Sequence, residues 1–148
     1  PIFGYCYQRL GSRHAAEDAT SQTFERALAA LPRYHADSFR GWLYTIARNV
    51  TIDHFRERPQ SPLDHAWGTP DSGPLPEQAL LEADSESRVR RLLAQLSNDQ
   101  REVVELDLAG VEGPEIATVL GRSPGAIRAI RFRAYSRLRT LLSEESDL

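Results

Sequence analysis

The sequence predicts an all-α protein, two small helical domains joined by a Pro-rich linker. Three observations carry this prediction. Apolar residues recur at helical spacing over residues 1–58 and again over 77–142, and no alternating apolar–polar run marks a strand. Between the blocks, residues 59–76 read PQSPLDHAWGTPDSGPLP, with five prolines, two glycines and no periodicity. The length of 148 residues suits one ordinary domain or two small ones.

The first block reads as three helices. Ile2 to Leu10 is apolar at helical spacing and stops at Gly11. Ser12 to Ala16 reads as a turn, after which Glu17 and Asp18 sit where the positive end of a helix dipole favours acids. From there Ala19, Thr23, Phe24, Ala27, Leu28 and Leu31 fall on one stripe, and Pro32 stops the helix. Tyr34 to Ser38 is a short loop. A third helix is predicted over Phe39–Arg58, ended by Pro59. With about 100° between successive residues, Leu43, Ile46, Ala47, Val50 and His54 share one apolar face. Arg48, Asn49, Thr51, Phe55 and Arg56 lie elsewhere on it. In the linker, Trp67 is either a docking contact or a loosely packed loop aromatic.

The second block begins near Pro76, in the first turn of a helix. Leu80, Leu81, Val89, Leu92, Leu93 and Leu96 make an apolar seam. Ser97-Asn98-Asp99-Gln100 is a capping box, with Ser at the cap and Gln three residues on. Val103, Val104, Leu106 and Leu108 follow, and Gly110 ends that helix. Pro114 opens a short helix over Glu115–Leu120 that stops at Gly121. Ser123 caps the last helix and Pro124 opens it; it runs to about Leu142, leaving 143–148 as an acidic tail.

Composition narrows the classes. The net charge is −3, which argues weakly against a nucleic-acid binder. Its distribution says more: residues 1–58 are net +2, 59–84 net −5, 85–142 net +3 and 143–148 net −3. All 18 basic residues are Arg. Codon bias in a GC-rich genome accounts for that, and Arg also suits bidentate contacts to phosphate and guanine. The single cysteine, Cys6, excludes an intramolecular disulfide and reads as a small apolar residue of the first helix. With four scattered histidines it makes no zinc pattern, so neither a metal nor a cofactor is expected. No run approaches the ~18 apolar residues of a membrane span, and no signal peptide opens the chain. A cytoplasmic protein without membrane insertion is expected. The chain has no Met, so Pro1 is expected not to be its native start.

The strongest local signal is PEIATVLGRSPGAIRAIRFRA, residues 114–134. A short helix, a tight turn at Gly121 and a longer helix make a helix-turn-helix. Ala117 is small where the helices must approach closely, Gly121 suits a positive-φ turn position, and Ile127 plugs the core between helices. On the second helix Ile127, Ile130, Ala134, Leu138 and Leu141 form a narrow core stripe. Arg128, Phe132, Tyr135 and Arg139 lie on the opposite side, with Arg131 on its shoulder. Arg122, Ser123 and the free N–H groups of the helix start point forward, as a recognition helix requires.

Two stretches resemble a known family. Residues 16–58 carry an acidic Glu17-Asp18 start, Gln22-Thr23-Phe24, an RGWLYTIARN block over residues 40–49 and an IDHFRER ending. Residues 96–142 carry the helix-turn-helix. Together, in this order around a linker, they are similar to regions 2 and 4 of the extracytoplasmic-function (ECF) sigma factors of the sigma-70 family, the promoter-recognition subunits of bacterial RNA polymerase. The resemblance implies that Glu17, Asp18, Gln22, Phe24 and Glu25 dock on core RNA polymerase. It implies that Tyr34 and His35 belong to a loop capturing a flipped base of the −10 element. Arg40, Trp42, Arg48, Asn49, Asp53, Arg56 and Arg58 fall where the family reads and melts that element. Trp42 is equally consistent with core packing, and Asp53 with a salt bridge to an Arg. Arg122, Ser123, Pro124, Gly125, Arg128 and Arg131 would read the −35 element. A cognate anti-sigma factor is the further partner that the resemblance implies.

The sequence departs from the family at two places. Glu112-Gly113 stands where Ser-Tyr is frequent. Residues 126–131 read AIRAIR where Thr-Val-Lys-Ser-Arg-Leu is frequent, which shifts the basic face. The first helix of region 2 is expected to be truncated. Three other classes compete with this reading. An enzyme lacks support, because Glu17/Asp18 and Asp53/His54 have no nucleophile or Gly-rich loop at useful spacing. A helix-turn-helix regulator that does not bind core polymerase would use residues 85–142 for DNA and 1–58 for sensing or dimerisation. A protein-interaction module would bind partners and no promoter. The sequence favours the sigma factor, with domains at 1–58 and 77–142.

Overall fold

The computed structural model describes residues 2–57 and 77–146, with residues 77–84 described as backbone only. Seven helices stand among them: α1 (Ile2–Leu10), α2 (Arg13–Ala30), α3 (Phe39–Glu57), α4 (Glu77–Leu93), α5 (Asn98–Leu108), α6 (Gly113–Leu120) and α7 (Pro124–Ser146). A 3-10 turn at Leu31–Arg33 follows α2, with Pro32 in its first turn. No strand is present among the described residues. The Pro-rich linker, Trp67 and Arg58 lie outside them.

Local chemistry sets the boundaries. Gly11 takes φ 73°, the left-handed region open to glycine, and separates α1 from α2. Ser12 is then the cap of α2, its hydroxyl accepting from the Ala15 N–H. The helix therefore starts four residues earlier than the acids suggest, and Glu17 and Asp18 lie in its second turn. Ser97 and Gln100 form the expected capping box. A second box, Glu112 with Glu115, opens α6. Gly121, at φ 66°, closes α6 with a paired bond set: its own N–H to Thr118 and the Arg122 N–H to Ala117. The last helix continues four residues past Leu142, and Glu145 in the acidic tail pairs with Arg88 at 2.8 Å.

Two core faces differ from the sequence reading. On α2 the buried residues are Ala16, Ala19, Thr23 and Ala27, while Phe24, Leu28 and Leu31 are exposed. On α3 the buried set is Gly41, Tyr44, Ala47, Val50 and Thr51, so the stripe is rotated toward Tyr44 and Thr51 and leaves Leu43, Ile46 and His54 half-buried.

That rotation has a cause in the tertiary structure. One apolar cluster runs through both halves of the chain, joining Tyr5 and Cys6 of α1 and Val50 of α3 to Leu106 of α5, Ile116 of α6 and Ile127 of α7. A smaller cluster of Leu93, Leu96, Val104 and Ala134 completes the second half. The two helical domains thus pack on each other as well as being tethered, α1 against α5 and α3 against α6. The seam is also ionic. Arg9 donates from Nη1 to Glu105 Oε1 at 2.8 Å and from Nε to Thr51 Oγ1 at 2.8 Å. Arg48 spans Glu102 with Nε and Nη2, at 3.1 and 3.2 Å. Arg40 Nη1 donates to the Gly110 carbonyl at 3.0 Å, and the Ser38 hydroxyl bonds to Glu115.

Candidate functional site

Three surfaces carry the residues singled out from sequence. The first is the outer face of α2. Phe24, Leu28 and Leu31 are 46%, 70% and 48% exposed and lie at spacings of four and three residues, which aligns them along one side. Glu17 and Glu25 flank them; Glu17 pairs with Arg13 at 3.1 Å. Asp18 and Gln22 face α3 instead, where His54 Nε2 lies 3.3 Å from Gln22 Oε1 and 3.8 Å from Asp18 Oδ2. The surface is an acidic-rimmed apolar stripe, a form suited to a partner helix. Periodicity puts Leu28 and Leu31 on one stripe with Ala19, Thr23 and Ala27; the last three are buried, whereas both leucines are surface residues.

The second surface is the start of α3 and the loop before it. Tyr34, Phe39 and Trp42 form an aromatic cluster, with ring centroids 5.0 to 5.9 Å apart. Phe39 is 53% exposed and Trp42 is half-buried, so Trp42 belongs to this surface cluster and not to the main core. Phe39 stands outside the residues singled out from sequence, although an aromatic at the first position of a helix, three residues before Trp42, was its signal. His35, Asn49 and Arg56 are exposed. Asp53 is half-buried and pairs with Arg26 at 3.0 Å, the salt bridge its sequence context allowed. Arg40 and Arg48 are held by α5–α6 through the seam.

The third surface is the helix-turn-helix. Ala117 and Ile127 are buried where α6 and α7 meet. Ser123 Oγ accepts from the Ala126 N–H and caps α7. Arg122, Ser123, Pro124, Gly125 and Arg128 are all exposed around that end. Arg122 pairs with Asp99 at 2.9 Å across two exposed side chains, a tie that water and salt weaken. Arg131 is set differently. It is half-buried, donates to Asp107 at 3.0 Å, and keeps its Nε buried without a hydrogen-bond partner. Tyr135 donates to the other Asp107 oxygen. Burial together with this bond pushes the phenol up to about 12. Arg128, Arg131, Phe132, Tyr135, Ser136 and Arg139 line a shallow groove of about 320 Å³ along α7. Among the described residues no group of three or more His, Cys, Asp or Glu side chains is placed to hold a metal ion, and no helix is long and apolar enough to cross a membrane.

Comparison with known proteins gives these surfaces a family. Residues 1–59 match Sigma-70 region 2, and residues 86–138 match Sigma-70, region 4. The chain is 34% identical over 151 residues to the ECF RNA polymerase sigma factor BldN of Streptomyces coelicolor, covering 98% of this chain and 57% of that relative. It is 34% identical over 154 residues to the ECF RNA polymerase sigma factor ShbA of Streptomyces griseus, covering 95% of this chain and 81% of ShbA. Among solved structures it is similar to the sigma factor RpoE of Bartonella quintana in complex with the anti-sigma factor NepR. The TM-score there is 0.67 at 26% identity, over 96% of this chain and 89% of that one. These relatives are sigma factors, not enzymes. With region 2 before region 4 on one polypeptide, and sigma factors as its relatives over nearly its whole length, the chain belongs to the ECF sigma factors of the sigma-70 family.

Proposed function

We propose that this chain is an alternative sigma subunit that binds core RNA polymerase and directs transcription initiation at a specific set of promoters. The observation that carries the reading is the pairing, in one chain, of an exposed apolar stripe on α2 with an exposed, Arg-bearing helix-turn-helix end on α7. A regulator that only binds DNA has no use for the first.

The protein performs no bond chemistry in this reading. The α2 stripe of Phe24, Leu28 and Leu31, rimmed by Glu17 and Glu25, docks on polymerase. The Tyr34–Phe39–Trp42 cluster offers ring faces to unpaired bases, and stacking of that kind tolerates any base. Arg40, Arg48, Asn49, Arg56 and Arg58 then supply phosphate and base contacts of the −10 element. Ser123, Pro124 and Gly125 bring the start of α7 toward the −35 major groove, where Arg122 and Arg128 reach guanine edges or phosphates. Arg131 contributes chiefly by fixing α7 on α5. RpoE's complex with NepR supports an anti-sigma factor as a third partner, and the cytoplasm is the compartment where polymerase, promoter and sigma meet.

Reconstitution with bacterial core RNA polymerase, followed by run-off transcription on a genomic fragment library, tests the reading. Promoter-specific transcripts that depend on this chain are expected. Specific duplex binding without association with core would overturn it in favour of a conventional helix-turn-helix regulator.

A further inference from the structure

Arg131 stands on the helix that carries the −35 contacts, yet its guanidinium is turned onto α5 and α6. We propose that Arg131, with Asp107, Gly113 and Tyr135, is a bracket that sets the angle of α7 on its neighbours and thereby fixes which −35 base pairs Arg122 and Arg128 read. The inference rests on the DNA-reading role proposed for α7. It makes Arg131 a positioning residue that touches no base.

Arg131 and Tyr135 lie one helical turn apart, so both project from one side of α7. Their partners are the two oxygens of one carboxylate. Arg131 Nη2 donates to Asp107 Oδ1 at 3.0 Å, and the Tyr135 hydroxyl donates to Oδ2. Two directional bonds from successive turns resist rotation as well as separation, whereas apolar packing is non-directional. The other edge of the guanidinium rests on the start of α6. A Cβ placed on Gly113 would lie 3.5 Å from Arg131 Nη1 and 3.8 Å from Nη2, so a side chain larger than alanine meets the guanidinium there. Gly113 is not among the glycines of positive φ; space, not backbone conformation, asks for glycine. Positions 113 and 131 are also places where the sequence departs from the family pattern of Tyr and Leu, and the structure puts these two departures in contact. The arrangement has a cost that simple packing avoids, because Arg131 Nε is buried with no hydrogen-bond partner. An apolar side chain at 131 would join the helices without it; what the guanidinium adds is direction. Direction matters at the DNA. Pro124, the first residue of α7, stands seven residues before Arg131, about 10 Å along the helix. Tilting α7 by about 10° about Arg131 carries that end about 2 Å, more than half the ~3.4 Å step between base pairs.

The test gives the holoenzyme, made from this chain and bacterial core RNA polymerase, a promoter library randomised across the −35 element. Each template carries a transcribed barcode, so sequencing the transcripts yields a base preference at every position. Wild type is compared with Arg131→Leu, Asp107→Ala, their double variant, Tyr135→Phe, Gly113→Tyr and Gly113→Tyr/Arg131→Leu, and core binding and a thermal melt are measured on each. The bracket predicts that Arg131→Leu and Asp107→Ala alter the same base preferences by about tenfold or more, the discrimination of about one base pair. Their double variant adds little to either, as residues acting through one unit should. Tyr135→Phe, which keeps the ring and loses one bond, moves the same preferences the same way by less. Gly113→Tyr shifts them when Arg131 is present and not when it is Leu. Core binding is unchanged throughout. If Arg131→Leu loses the preference at one base pair and Asp107→Ala keeps it, Arg131 reads that base itself and the bracket is overturned. Lower melts with unchanged preferences in the folded variants, Tyr135→Phe included, overturn it as well and leave Arg131 a helix tie only. Both results leave the sigma reading standing. A wild-type chain that binds no polymerase and starts no promoter-specific transcript brings down the sigma reading, and the bracket's role with it.

Discussion

Replacing Arg9 by Met removes the charge at the centre of the seam while keeping much of the stem's volume. The Arg9 side chain is 5% exposed, that of Glu105 4% and that of Glu102 8%. The guanidinium lies over the rings of Tyr5 and Phe55, at 5.7 and 5.8 Å from their centroids. Without it Glu105 loses its 2.8 Å partner and Thr51 its donor, whereas Glu102 keeps Arg48. Stranding one buried carboxylate costs about 3–5 kcal/mol. In a chain of this size each kcal/mol moves the midpoint by about 2–4 °C, so a fall of about 6–20 °C is expected. The companion variant Arg9→Met/Glu105→Leu removes both charges, and an apolar pair of similar volume recovers most of the loss. Far-UV circular dichroism through thermal and urea melts reads both. A loss below about 1 kcal/mol for the single variant, the size of an exposed pair, would refute the reasoning. So would a double variant no more stable than the single one.

Other expectations follow from the remaining surfaces. Arg128→Ala weakens specific duplex binding by about 1–3 kcal/mol with an unchanged melt, and a cost equal on all sequences would mark a phosphate contact instead. Arg131→Ala lowers stability by about 1 kcal/mol as well, through the lost Asp107 bond, and an unchanged melt would count against its anchoring role. Burial pushes the Cys6 thiol up from 9.0 to about 11. A raised thiol favours the folded state fully below pH 9, and that contribution is lost as pH rises through 11. Urea midpoints across that range should fall, and iodoacetamide at pH 8 should label Cys6 only on unfolding; fast labelling of the native chain would contradict the burial. Ser97→Ala removes the hydroxyl that accepts from the Gln100 N–H, leaving the backbone half of the box, and costs about 1 kcal/mol, which Ser97→Asp should largely restore.

Sequence determined the elements because their punctuation is local. Gly11, Pro32, the Ser97 box, Gly121 and Ser123 each act on the backbone within a few residues, so helix number, order and most boundaries were legible. The start of α2 was missed where two local signals competed, acids at Glu17-Asp18 against a capping serine at Ser12, and the hydrogen bond from Ala15 decided for the serine. Faces were less legible than boundaries. A helix wheel shows that a stripe exists, but small residues such as Ala16 and Ala19 carry little hydrophobic signal, and Thr51 carries a polar one. The exposed Phe24, Leu28 and Leu31 look like core to any periodicity argument, because a docking stripe and a core stripe share the same spacing. The seam was illegible altogether. Arg9 and Glu105 stand 96 residues apart, and nothing in either neighbourhood marks its partner.

The seam also accounts for where much of the acidic charge of this chain of net charge −3 is spent. Helix α5 carries four carboxylates, and each is matched: Asp99 with Arg122, Glu102 with Arg48, Glu105 with Arg9, Asp107 with Arg131. Two of these arginines belong to the first half and two to the second, so one acidic helix neutralises cations of both halves. The matches differ in strength. Exposed Arg122–Asp99 yields readily to a phosphate, since little solvation is lost or regained. Arg9–Glu105 is buried and yields only when the seam opens and water reaches both partners. Exchange at Arg48 lies between, because its guanidinium is part-exposed while Glu102 is not. Carboxylate and phosphate are alike as acceptors for a guanidinium, and the apolar contacts of Leu106 and Ile116 hold the halves together beside these pairs.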